Sequence, residues 1–188
     1  MSSLENLSVW ARLGRLAPVF AVAALLGGCF QPMYGQISPT GGPNVREVLS
    51  SVRVTTIEAP KGTTEERLAV ELRNELLFGL TGGGGANSPT HELTIRLTSQ
   101  KTKIIVDLTS ARPDLENFGL DASYRLVEVA TGKTVVTGTT FSRVSYDIPG
   151  QVQRFARLRG QRDAENRAAK VIAENIKSRL ASYFIAGT

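Results

Sequence analysis

The chain has 188 residues and a net charge of +5, with one cysteine and one histidine. That inventory leaves no partner for a disulfide and too few ligands for an ordinary His/Cys metal centre. No H-E-x-x-H, CxxC, Walker loop or G-x-S-x-G occurs, so no familiar catalytic apparatus is visible.

Arg12 and Arg15 precede a short apolar run, Leu16 to Leu26, which leads into Gly27, Gly28 and Cys29. A basic segment, an apolar stretch and small residues before a cut site make an export signal. Leu26-Gly27-Gly28-Cys29 fits the lipobox of bacterial lipoproteins. The expectation is cleavage of residues 1–28 and a covalent diacylglycerol and N-acyl chain on Cys29, with no other cofactor. The run is about half the roughly 20 residues that a spanning helix needs, so anchoring rather than threading is expected. Phe30 stands where an aspartate would argue for retention at the inner membrane, which favours the outer one. About 160 residues follow the cut, enough for one ordinary core.

Residues 29–50 hold Pro32, Pro39, Pro43, Gly35, Gly41 and Gly42 and read as a flexible tether. Ser51 to Glu58 is rich in β-branched residues and predicts a strand stopped by Ala59-Pro60. Thr63 with Glu66 predicts a capping box. Leu68, Leu72, Leu76 and Leu80, with Ala69 and Leu77, share one helical face. Gly82 to Gly85 end that helix. They follow a helix and lack a Lys-Ser/Thr pair, so they read as a connector, not a phosphate cradle.

His91 to Thr98 alternates, with Leu93, Ile95 and Leu97 inward. Ile104, Val106 and Leu108 change parity, which predicts a bulge or break within residues 99–103. His91 shares the parity of Leu93 and reads as a half-buried polar residue at a strand start. Ala111 to Asn117, with Pro113, reads as a loop. Phe118 to Leu126 alternates as a strand, Ala130 to Lys133 is a hairpin turn, and Thr134 to Tyr146 is the return strand. Its polar positions are rich in Ser and Thr, so a partner covers them at little desolvation cost.

After Pro149-Gly150 comes a long helix over about 152–184. Ala168, Ile172, Ile176, Leu180 and Phe184 recur every four residues, a core face. The same segment carries Arg154, Arg157, Arg159, Arg162, Arg167, Lys170, Lys177 and Arg179 against Asp163, Glu165 and Glu174. The element order predicts an α+β two-layer sandwich, β-α-β-β-β-α. Its four-stranded, mostly antiparallel sheet carries two helices on one face, in a single domain over 51–188.

Lipobox, Cys29-Phe30-Gln31-Pro32-Met33-Tyr34-Gly35 and this element order together resemble the lipopolysaccharide-assembly lipoprotein family LptE, in its divergent branch. Phe30, Pro32, Tyr34 and Gly35 match that branch; the glycine after the cysteine is missing, and Gln31 replaces arginine. Further matches lie at 131–133, 145–148, 162–164 and 176–180. The resemblance implies a lipid-anchored outer-membrane component of the lipopolysaccharide translocon. Such a protein plugs the LptD-type β-barrel and contacts lipopolysaccharide. Lys101 and Lys103 at the expected register break, with Arg112, are the candidate lipopolysaccharide contacts, against an ordinary solvated loop. One rival is the auxiliary lipoprotein of an ABC-type lipid transporter. Another is a lipoprotein hydrolase, for which His91 alone supplies no nucleophile–base pair. Nucleic acid is not an expected partner of an exported chain.

Overall fold

A computed structural model describes residues 44–86, 88–105, 113–147 and 154–186. In chain order the elements are α1 (Val45–Ser50), β1 (Val52–Val54), α2 (Thr64–Thr81), β2 (His91–Ile105), β3 (Pro113–Glu128), β4 (Thr134–Asp147) and α3 (Arg154–Ala186). The strands form one sheet in the order β1-β2-β3-β4. β1 runs parallel to β2, and the other pairs are antiparallel. A parallel pair needs a crossover, and α2 supplies it. The expected α+β sandwich is the observed one.

The core lies between one face of the sheet and the helices. Leu68, Leu72, Leu76 and Leu80 of α2 share one core with Leu93, Ile95 and Leu97 of β2 and Phe118, Leu120 and Leu126 of β3, all essentially inaccessible to water. α3 closes the layer with Ala168, Ala169, Ile172, Ile176 and Leu180, each fully buried. The alanines let backbones approach, and the larger residues fill what remains at interior packing density.

Several expectations change. Residues 45–50, read as the end of the tether, form α1. Asn44 caps it by accepting the Arg46 N–H at 3.0 Å, and Leu49 joins the core. The strand expected over 51–58 narrows to Val52–Val54. Beyond it, Glu58 makes an isolated parallel bridge to Arg96.

The capping box is displaced by one residue. The Thr63 hydroxyl donates to Pro60 O at 2.7 Å, and Glu66 accepts the Gly62 N–H, also at 2.7 Å. At the other end Gly82 stops α2 with φ 78°, a left-handed conformation cheap only for glycine.

β2 and β3 pair without interruption from His91↔Glu128 to Ile104↔Leu115; register shifts only between Ile104 and Ile105. The bulge expected within 99–103 is therefore absent. Ile104 falls on the sheet face away from the helices and is 42% exposed, while Lys101 and Lys103 keep the parity of Leu93. β3 begins at Pro113, so residues 113–117, read as loop, are strand. Gly132, φ 67°, makes the expected turn into β4.

Candidate functional site

Cys29, with Leu26, Gly27 and Gly28 before it, lies outside the described residues, as does Arg112. Lys101 and Lys103 fall within the described residues. Both stand near the end of β2, on the helix-facing side, where the apolar core gives way to a polar cluster.

Glu165 of α3 organises that cluster. Its side chain is only 3% exposed. Arg67 of α2 reaches it at 2.5 Å, Gln161 donates to it at 2.8 Å, and Lys101 Nζ lies 3.3 Å away. Arg67 also donates to Asn166 Oδ1 at 3.0 Å. A buried carboxylate is tolerable only when paired and hydrogen-bonded, and here three elements supply the partners. The Lys101 ammonium also sits 5.9 Å from the centre of the Phe118 ring. The charge of Lys101 is thus engaged inside the domain. Lys103 is exposed, and among the described residues it makes no ion pair.

Beside this tie, Tyr146 of β4 donates to the buried Glu116 of β3. Burial first, then that hydrogen bond, pushes the phenol well above its ordinary pKa of 10. The Ser99 hydroxyl donates to Glu65 at 2.6 Å and holds that carboxyl below its usual range. The cluster satisfies polar groups where the core ends.

Glu165 and Glu116 carry no motif, and Tyr146 falls within the 145–148 match with no site assigned to it. A carboxylate seven residues before Ile172, on the same helical face, is the one signal the sequence offered for Glu165.

His91 matches its reading as a half-buried strand-start residue. It meets the edge of Phe184 with ring centres 5.1 Å apart, and its Nδ1 lies 2.8 Å from the Thr90 hydroxyl. Burial lowers its pKa. Among the described residues, no group of three His, Cys, Asp or Glu side chains is placed to hold a metal ion.

Among the described residues, the opposite face of the sheet carries no helix. It presents Thr94, Thr98 and Thr102 of β2, Ser123 of β3, and Thr137, Thr139 and Ser145 of β4. Cross-strand pairs cross it: Arg53–Glu92 at 2.5 Å, Arg96–Glu58 at 2.7 Å and Arg143–Asp121 at 2.9 Å. Arg143 also stacks 5.3 Å from the centre of the Phe141 ring. This surface is broad, hydrated and nearly charge-balanced. It matches the Ser/Thr-rich face expected of β4 and extends it across three strands.

No protein-family model matches the chain, and no curated protein matches it. Among solved structures, the chain is similar to a candidate lipoprotein from Caulobacter crescentus. That match has 21% identity and a TM-score of 0.62, over 78% of this chain and 98% of that one. Rare lipoprotein B from Shewanella oneidensis superposes with a TM-score of 0.51 at 12% identity, over 71% and 96% of the two chains. Lipoprotein B from Nitrosomonas europaea does so with 0.50 at 16% identity, over 73% and 90%. The chain therefore has the fold of these bacterial lipoproteins.

Proposed function

We propose that this protein is a lipid-anchored outer-membrane lipoprotein that acts by binding, not catalysis. In this reading it is the LptE-like component of the lipopolysaccharide translocon. It seats in an LptD-type β-barrel and assists delivery of lipopolysaccharide to the outer leaflet. The observation that carries the reading is a fold shared with bacterial lipoproteins in a chain whose own sequence reads Leu-Gly-Gly-Cys at 26–29. Phe30, Pro32, Tyr34 and Gly35 support the finer assignment. So does an open, hydrated sheet face, which suits the polar interior of a barrel.

The acyl chains on Cys29 supply the anchor, and no other cofactor is proposed. Of the candidate lipopolysaccharide contacts, Lys103 offers the available charge for a lipid phosphate. Lys101 contributes through its hold on Glu165, and Arg112 stays in the proposed set.

The test is a detergent pull-down of the tagged protein from outer membranes, with every co-eluting protein identified. A stoichiometric large β-barrel supports the reading. A transporter complex, or no partner, overturns it, the first in favour of the ABC-type auxiliary lipoprotein. Replacement of Cys29 by alanine is expected to release the protein from the membrane fraction.

A further inference from the structure

The first buried residue of α3 is Ala164, ten residues after the helix begins. Its opening turns run past the core. Along them lie Arg154, Arg157, Arg159 and Arg162 with no acidic residue between 154 and 162. Among the described residues none of the four makes an ion pair. Two large apolar side chains stand in their midst, Phe155 at 84% and Leu158 at 59% exposed. Leu158 lies seven residues before Glu165, on the helical face that elsewhere points into the core, yet no described residue buries it.

Two physical costs are visible here. Four cations crowd the end of a helix where the macrodipole favours anions. Exposed Phe and Leu side chains on one helix end gain nothing from water. A single surface offsets both costs, one that is anionic outside and apolar beneath. Arginine guanidinium groups bind lipid phosphates with directed, charge-assisted hydrogen bonds. Phenylalanine and leucine enter the boundary between headgroups and acyl chains.

We propose that the exposed opening turns of α3 form a docking surface for an anionic phospholipid bilayer. The arginines engage phosphates, and Phe155 and Leu158 enter the interface. This goes beyond the translocon reading and does not depend on it: the contact requires no barrel and no lipopolysaccharide.

The test uses the full chain carrying Cys29→Ala, so that acylation plays no part. Binding is measured by co-sedimentation with phosphatidylcholine vesicles, with and without phosphatidylglycerol, at low and high salt. The apolar segment 16–26 is common to every variant and cancels in the comparison. Phosphatidylglycerol is expected to strengthen binding, and salt to weaken it. Arg154→Glu/Arg159→Glu is expected to lower the partition coefficient about 30-fold, since each arginine near an anionic surface is worth about 1 kcal/mol, or roughly 5-fold. Phe155→Ser/Leu158→Ser is expected to lower it about 10-fold while leaving the salt dependence in place.

Glutamate near a helix start is favourable, so the charge-reversed chain keeps its helix. Circular dichroism and the thermal transition verify this for both variants. Binding that ignores phosphatidylglycerol, or that is equal in all variants, overturns the proposal. So does loss of barrel co-purification with unchanged vesicle binding, which makes the patch a protein contact. Failure of the barrel pull-down with the vesicle results intact overturns the translocon reading alone.

Discussion

Tyr124 of β3 lies across Gly138 of β4, its cross-strand partner, so closely that a Cβ on the glycine would come within 2.6 Å of the phenol oxygen. The ring occupies the space a side chain would take and is 8% exposed. An aromatic ring laid over a strand glycine covers backbone that is otherwise open to water. Gly138→Ala is expected to push the ring aside and destabilise the domain by about 1–3 kcal/mol. Urea unfolding monitored by tyrosine fluorescence measures this. An unchanged midpoint would show that the ring shifts at no cost.

The Glu165 tie joins α2, β2 and α3 through Arg67, Lys101 and Gln161. Breaking a fully buried pair costs about 3–5 kcal/mol. Here both cationic partners keep about a third of their side-chain surface in water, and screening reduces the figure. Glu165→Gln is expected to cost about 1–3 kcal/mol by denaturant unfolding. Lys101→Glu brings a second carboxylate to Glu165 and is expected to destabilise more than Lys103→Glu. A lipopolysaccharide-binding comparison therefore belongs on Lys103, where charge reversal leaves the fold intact.

Tyr146→Phe leaves the buried Glu116 without its donor and is expected to cost about 1–3 kcal/mol at neutral pH. The native phenol has a raised pKa, so folding favours its protonated form. That contribution is complete below pH 10 and is lost as pH rises through the folded value. Spectrophotometric titration is expected to show Tyr146 ionising late, or only as the domain unfolds, with Tyr124 also raised by burial. Four tyrosines titrating together near pH 10 would contradict the buried contact.

His91 works in the opposite pH range. Burial depresses its pKa below 6.5, so the fold prefers the neutral ring. Its contribution is complete above pH 6.5 and falls away as pH drops through the lower folded value. His91→Gln is expected to flatten this part of the stability–pH profile, measured by thermal unfolding from pH 7 to pH 5. A slope identical to that of the parent would assign it to other groups.

Legibility followed burial. The leucine spacing of α2, the alternation of His91 to Thr98 and the four-residue recurrence in α3 all report one uniform apolar neighbour, and each element stands as read. Ile104 breaks the parity rule because an apolar residue there points outward. At that end of the sheet the core has stopped, and the inward positions belong to Lys101 and Lys103. Glu165, the partner of Lys101, lies 64 residues further on, a pairing that no local pattern encodes. The capping box slipped for a similar reason, since the Thr63 hydroxyl found Pro60 O before the helix amides. α1 was hidden by the proline- and glycine-rich stretch before it, although Asn44 and Leu49 are its cap and its buried residue. For the candidate contacts, sequence located two lysines but not the carboxylate that engages one of them.

The arrangement of α3 also sets when the domain is able to close. Its buried residues, Ala164 to Ala181, follow all four strands in the chain. Until they dock, the helix-facing side of β3 and β4 lacks its main cover, and Phe118, Leu120 and Leu126 stand open on that side. Closure of the core therefore waits on a long-range contact, and the preceding elements stay pliable until α3 docks.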